Sequence, residues 1–187
     1  MRIFIAVDIP ERLKDKLRGL QAEMKQFNAP VRWAAPDGFH ITIKFFGEVL
    51  DTRQPAICQQ LRDIARWSKP FEIHLERLGT FPREQSPRVI WIGTRPEDDR
   101  LKNLASTVET AMASIGFAAE EREPSPHITL GRIKGADNLF RLMTYINLYR
   151  ESQSLGSFVV DNFYLYKSTL APTGSVYEKL QAFPFGQ

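Results

Sequence analysis

The sequence has little cysteine, little histidine and no long hydrophobic run. Cys58 is the only cysteine, so the chain forms no internal disulfide and supplies no cluster of thiolate metal ligands. The three histidines lie far apart and have no clustered carboxylates around them, which argues against a metal centre. No apolar run approaches the roughly 20 residues of a membrane-spanning helix. The first apolar stretch precedes a charged helix, not a signal-peptide cleavage site. These absences predict a metal-free, cytoplasmic protein.

The composition is that of an ordinary globular chain with a small cationic excess. Hydrophobic residues make up 43% and charged residues 25% of the sequence, and the net charge is +3. Arginine outnumbers lysine, and the guanidinium is a planar fork of donors that matches phosphate. The charge suits an anionic partner such as a nucleic acid, although it does not identify one by itself.

The spacing of hydrophobic residues predicts a mixture of strands and helices without strict βαβ alternation. β-Branched and aromatic runs predict strands at 2–8, 31–33, 40–49, 71–76, 88–92, from 127 onward, 157–167 and 175–183. Helical spacing predicts helices at about 10–27, 52–67, 97–115 and 136–149. Turns are predicted at 36–38, 124–126 and 171–174. No linker divides the chain, so we predict one unit over residues 1–187 with an α+β fold and largely antiparallel sheets.

Two of the three histidines open nearly the same phrase. His40 begins HITIKFFG and His127 begins HITLGRIK, and each follows a proline-containing turn and opens a predicted strand. Such a repeat indicates an internal duplication. The two copies of a duplicated unit usually pack about a pseudo-twofold axis. We therefore expect two lobes related in this way, with the copied strands side by side in a cleft.

The repeated residues suit chemistry at phosphorus. Side chains two apart on a strand share a face, so each histidine and the threonine two residues later, Thr42 or Thr129, point the same way. Histidine, with an ordinary pKa near 6.5, is suited to act as base or acid close to neutral pH. Hydroxyls donate hydrogen bonds to non-bridging phosphate oxygens without adding charge. The set fits in-line displacement, in which one histidine deprotonates water and the other protonates the departing oxygen.

A single His-x-Thr on a strand is more often a packing or surface pair, and threonine is a common strand residue. His74, in FEIHLERL with Glu76 two residues on, has this ordinary character, and we predict a solvated histidine there. The duplication favours a functional role for the other two histidines. A purely structural role gives no reason for the same polar pair to occur in both halves.

With these motifs the chain resembles the two-histidine phosphoesterase superfamily, and within it the bacterial and archaeal RNA 2',3'-cyclic phosphodiesterases, once called 2'-5' RNA ligases. The resemblance runs through RIFIAVDIP, VRWAAPDGFHITIKFFGEV, LGTFP with PRVIWIG, PHITLGR and LYKSTLAPTGSVYEKL. It implies a bilobal fold with a cleft between the lobes, no metal or other cofactor, and hydrolysis of RNA 2',3'-cyclic phosphate ends that leaves a 2'-phosphate. The implied partner is an RNA with such an end, tRNA fragments being one candidate. We expect a monomer that binds no membrane.

The resemblance also implies roles for particular residues. It makes His40 and His127 the acid and base, and it makes Thr42 and Thr129 phosphate ligands. Arg132, the last residue of HITLGR, matches a phosphate-associated position. Strict alternation puts Arg132 on the face opposite His127, unless a twist, a bulge beside Gly131 or the length of the side chain brings it round. Phe45 holds the equivalent place in the first copy, where it either contacts the terminal base or fills the core, the commoner place for phenylalanine.

Several other activities remain open on the sequence. A cyclic phosphodiesterase acting on small nucleotides, or a 2'-5' RNA ligase running the reaction in reverse, would use the same groups. A non-catalytic RNA- or nucleotide-binding module would use the cationic cleft and aromatics such as Trp33, Phe45 and Phe46. The two intact motifs favour catalysis, because binding alone needs no matched acid–base pair. The sequence does not distinguish the acid from the base.

Overall fold

A computed structural model describes residues 1–82, 86–95, 98–120, 123–150, 154–171 and 174–186 of the chain. The strands are β1 (Arg2–Asp8), β2 (Val31–Trp33), β3 (His40–Glu48), β4 (Phe71–Phe81), β5 (Val89–Thr94), β6 (His127–Ile133), β7 (Ser154–Val160), β8 (Asn162–Ala171) and β9 (Gly174–Pro184). The helices are α1 (Glu11–Lys25), α2 (Gln54–Trp67), α3 (Asp99–Ser114) and α4 (Leu139–Leu148). Among these described residues, no helix is long and apolar enough to cross a membrane.

One predicted strand is wrong. The stretch 157–167 is not continuous, because Asp161 separates β7 from β8, and the two strands belong to different sheets. Apolar and polar residues alternate in both β7 and β8. The sequence pattern therefore looks like one long strand and does not show where the chain leaves one sheet for the other. Residue 97, the predicted start of the third helix, and residues 172–173 of the predicted last turn lie outside the described residues.

Two antiparallel sheets form two lobes. The first lobe has the strand order β3-β1-β8-β9 and the second has β2-β6-β5-β4-β7. Helices α2 and α3 pack against the first sheet, through β9 and β3, and α1 and α4 pack against the second, through β7 and β4. The predicted α+β architecture of two lobes with antiparallel sheets and flanking helices is confirmed.

The chain passes repeatedly between the lobes. After β1 in the first sheet it forms α1 on the second, and after β5 in the second sheet it forms α3 on the first. Strand β4 of the first half pairs with β7 of the second, and β8 of the second half pairs with β1 of the first. Each lobe is therefore built from both halves of the sequence.

Each strand that carries a histidine motif buries one face in the core and leaves the other for the cleft. In β3, Ile41 and Ile43 are buried while Thr42 between them is exposed, and in β6 Ile128 and Leu130 are fully buried. Burying such aliphatic side chains contributes roughly 1.5–3 kcal/mol each to folding. The packing thus fixes which face of each strand carries the histidine and threonine.

Candidate functional site

Strand β6 contains a bulge within the histidine motif. Thr129 and Gly131 lie opposite consecutive residues of β5, which makes Leu130 an extra residue in the ladder. A bulge of this kind shifts the alternation of side chains by one position. Arg132 therefore returns to the face of His127 and Thr129, and all three line one cleft. The bulge resolves the conflict between Arg132 and strict alternation.

The first copy repeats the bulge at the same place. Thr42 and Lys44 lie opposite consecutive residues of β1, which leaves Ile43 as the extra residue. Phe45 consequently joins His40 and Thr42 on the cleft face. It is 40% exposed, so the interpretation of Phe45 as a core residue is wrong, because the bulge turns the ring out of the core.

The residue after each bulge differs between the copies. In β6 it is Gly131, where an added Cβ would lie 2.7 Å from Val31 Cγ1 and 3.0 Å from the Trp33 ring. Only glycine lets β2 approach β6 this closely. In β3 it is Lys44, which is 2% exposed and donates a 2.7 Å hydrogen bond to Glu109 of α3. At this position the second copy therefore packs against an additional strand, β2, whereas the first copy forms the ion pair between Lys44 and Glu109.

Both histidines are held in the same tautomer. Each ring Nδ1 lies 2.7 Å from the backbone carbonyl oxygen two residues earlier, Gly38 for His40 and Ser125 for His127. A carbonyl oxygen only accepts hydrogen bonds, so Nδ1 carries the proton and donates it. Nε2 of each ring is left to exchange a proton with a bound molecule. The turns before β3 and β6 supply these carbonyls, which explains why each motif follows a proline-containing turn.

Aromatic side chains surround both imidazoles. The His40 ring lies 4.8 Å from Phe4 and 5.0 Å from Tyr177, measured between ring centroids. The His127 ring lies 5.1 Å from Phe81 in an edge-on contact. These contacts remove water from both rings, and loss of water disfavours the charged imidazolium.

The pKa values of both histidines are lowered from 6.5. For His40 the main cause is burial, which the positive charges of His127 and Lys14 reinforce and the Gly38 carbonyl and Asp8 oppose. For His127 burial is again the main cause, Arg132 lowers the pKa further, and the Ser125 carbonyl opposes the shift. The charge of His127 is a minor cause of the lowered pKa of His40, as expected for two rings that line the same cleft.

The cleft is cationic and large enough for more than a phosphate group. Its volume is about 610 Å³, and three arginines, Arg2, Arg32 and Arg132, line it without any aspartate or glutamate among the described lining residues. The threonine hydroxyls also face it, and no described group hydrogen-bonds to either of them. The described part of the chain holds no group of three or more metal-ligating side chains.

Sequence reasoning missed Arg2, Arg32 and Tyr177 in this cleft. All three lie in sequence blocks that carry the family resemblance, RIFIAVDIP, VRWAAPDG and LYKSTLAPTGSVYEKL. The resemblance of those blocks to the family could have identified these three residues as candidates for the cleft. Only the pairing of β1 with β3, of β2 with β6, and of β9 through β8 with β1 shows that these side chains lie at the cleft.

His74 lies outside the residues that line the cleft. Its backbone N–H donates a 2.7 Å hydrogen bond to Asp98 Oδ2, and its ring Nδ1 lies 3.4 Å from the same oxygen. The side chain is 33% exposed, so His74 is partly solvated, and Asp98 at the start of α3 covers the rest of the ring.

Comparison with known proteins shows similarity over both lobes. A family model described as LigT like phosphoesterase matches residues 7–91 and again residues 92–177. The RNA 2',3'-cyclic phosphodiesterase of Methanocaldococcus jannaschii is 34% identical over 181 residues, covering 97% of this chain and 99% of that protein. The protein of the same name from Methanothermobacter thermautotrophicus is 33% identical and covers 98% of each chain.

Solved structures agree with these matches. A Thermus thermophilus protein superposes with a TM-score of 0.84 at 27% identity, covering 100% of this chain and 98% of that one. Escherichia coli LigT in complex with 3'-AMP superposes with a TM-score of 0.81 at 26% identity and the same coverage. The likeness therefore extends over both lobes of the fold.

Proposed function

Because the chain belongs to the LigT-like phosphoesterase family, we propose that it hydrolyses RNA 2',3'-cyclic phosphate ends with His40 and His127 as its acid–base pair. The observation that carries this proposal is the convergence of two equally oriented imidazoles, one from each lobe, on a single cationic cleft. Full-length relatives named RNA 2',3'-cyclic phosphodiesterase support the choice of substrate.

The cyclic phosphate binds between the two motifs. It is a diester with one negative charge, which the guanidinium of Arg132 offsets. The hydroxyls of Thr42 and Thr129 donate hydrogen bonds to its non-bridging oxygens from opposite lobes. Charge-assisted bonds of this kind are stronger than neutral ones, and they gain strength as negative charge builds up in the transition state.

The two histidines then move protons at Nε2. The neutral imidazole removes a proton from a water molecule as that water attacks phosphorus. The protonated imidazole donates its proton to the 3' oxygen, the P–O3' bond breaks, and a 2'-phosphate with a free 3'-hydroxyl remains. Each turnover exchanges the protonation states of the pair, and solvent restores them.

Phe45 provides a surface for the terminal base. The Arg2 guanidinium lies 4.9 Å from the centroid of the ring and covers one face. The rest of the ring is exposed to the cleft. Stacking on an aromatic ring tolerates any base, so Phe45 holds the terminal nucleotide without requiring a particular sequence.

Product analysis tests the proposed reaction. An oligonucleotide ending in a 2',3'-cyclic phosphate, incubated with the protein and excess EDTA, should give a product that ends in a 2'-phosphate. Two histidines suffice for the proton transfers, so chelation should leave the rate unchanged. Loss of activity in EDTA that returns with a divalent ion would refute the metal-free mechanism.

The same assay separates the competing activities. Joined oligonucleotides in place of hydrolysed ends would indicate a 2'-5' ligase, and turnover confined to cyclic mononucleotides would indicate a small-nucleotide phosphodiesterase. Binding with no product at all would indicate a recognition module.

The pH profile of kcat/KM should be a bell with its maximum on the acid side of pH 6.5. Catalysis needs one histidine neutral and the other protonated, so the rate rises through the lower pKa of the pair and falls through the higher one. Burial lowers both values. The descending limb should therefore lie below the pH at which an exposed histidine loses its proton. The cyclic diester does not titrate in this range, so a rate that stays constant into alkaline solution would contradict the mechanism.

A further inference from the structure

Two arginines face each other at one end of the cleft. Arg32 of β2 and Arg132 of β6 are register partners on antiparallel strands, so their side chains lie on the same face. Like charges in directly opposite positions destabilise a sheet. Neither arginine forms an ion pair with a carboxylate in the described parts of the chain. An anion bound between them would remove the repulsion.

The Arg32 guanidinium reaches across the cleft. An ideal Cβ built on Gly174 would lie 3.3 Å from Arg32 Nη2. Gly174 begins β9 in the first lobe, whereas Arg32 belongs to the sheet of the second. The charge of Arg32 is thus held inside the cleft, between the lobes.

The arginine pair lies beyond the position of the reacting phosphate. Because of the bulge, Arg132 lies two steps beyond Thr129 along the ladder with β5, or roughly 7 Å at about 3.3 Å per residue. Its long side chain can turn back towards the phosphate between the threonines. Arg32 lies beside Arg132 on β2, the edge strand of the same sheet, and its guanidinium lies against Gly174. One cyclic diester carries a single negative charge, and the proposed mechanism assigns that charge to Arg132. Arg32 is therefore available to bind a second anion.

We propose that Arg32 binds the phosphodiester that links the terminal nucleotide to the one before it. This inference rests on the proposed function, because it extends the same substrate by one nucleotide. In an RNA end this second phosphate is one ribose away from the cyclic phosphate. The planar fork of arginine can bind two of its oxygens at once. Arg32 thereby makes the protein prefer an oligonucleotide end to a cyclic mononucleotide.

The test compares two substrates on matched variants. The substrates are a dinucleotide with a 2',3'-cyclic phosphate end and the corresponding 2',3'-cyclic mononucleotide. Arg32→Gln should lower kcat/KM for the dinucleotide by about ten- to hundredfold, mainly through KM, as expected for a lost charged hydrogen bond. Its kcat/KM for the mononucleotide should stay within about twofold of the parent. Arg32→Lys should fall between, because it keeps the charge and loses the fork.

Arg62→Gln is the control, since Arg62 is exposed on α2 and lines no part of the cleft. It should match the parent on both substrates. The parent should also lose activity on the dinucleotide more steeply with added salt than Arg32→Gln does. The melting temperature of Arg32→Gln should not fall, because the substitution removes a like-charge pair.

Each other outcome overturns a different claim. Equal losses on both substrates would place Arg32 at the reacting phosphate, and unchanged kinetics on the dinucleotide would show that it binds no upstream phosphate. Either result overturns this inference alone. A parent protein inactive on both substrates would overturn the proposed function itself.

Discussion

Replacing His40 or His127 with alanine is expected to lower kcat/KM by about 10²- to 10⁴-fold, the usual contribution of a general acid or base. The double variant should lose less than the product of the two single losses, because one histidine has little to do without its partner. Both rings pack against aromatic side chains, so thermal melts must accompany the kinetics. A single variant that stays folded and keeps near-parental turnover would refute the two-histidine mechanism. Activity that falls only in proportion to the fraction of unfolded protein would refute it as well.

His74→Ala is the matched control for these variants. It removes an imidazole from a strand, as the other two substitutions do, but His74 does not line the cleft. Its backbone N–H would still donate to Asp98, because that hydrogen bond does not involve the side chain. We expect activity close to that of the parent and at most a small loss of stability.

Glu109→Ala is expected to lower the free energy of unfolding by about 3–5 kcal/mol, the usual cost of leaving a buried charge without its partner. Lys44 is 2% exposed, and its ammonium donates hydrogen bonds to Glu109 and to the Ala118 carbonyl. Removing the carboxylate leaves this cation with one neutral acceptor. Urea denaturation measures the change, and the slope with denaturant shows whether unfolding stays cooperative.

Two further proteins make the stability test specific. Adding Lys44→Met to Glu109→Ala should restore much of the lost stability, because an apolar side chain replaces the unpaired cation. Glu11→Ala breaks the exposed ion pair with Arg18, whose atoms are 2.7 Å apart, and should cost far less stability than Glu109→Ala, because solvent screens an exposed pair. Equal effects for Glu109→Ala and Glu11→Ala would show that burial of the Lys44 pair has no energetic importance.

The parts of the fold that follow a simple period could be predicted from the sequence. The apolar stripes of α1 and α2 and the strands that open with His40 and His127 lie where the spacing places them. The duplication also indicated that the two motifs would share a cleft, and they do. Local patterns of this kind survive in the structure because each element buries one continuous face.

The rest depends on features without a local pattern. A bulge adds a residue without changing composition, so the sequence left the orientations of both Phe45 and Arg132 undecided. The break at Asp161 separates two strands whose partners are distant in sequence. Arg32 belongs to the cleft only because β2 pairs with β6, about a hundred residues later.

The passage of the chain between the lobes affects how the protein is made. Strand β1 leaves the ribosome long before β8, its partner on one edge, is synthesised. Until then that edge of β1 is unpaired and open to association with other chains. The second sheet requires only strands up to β7 and can form earlier. Because β9 carries Tyr177, which packs against His40, a nascent chain holds both histidine motifs well before the wall around His40 is complete.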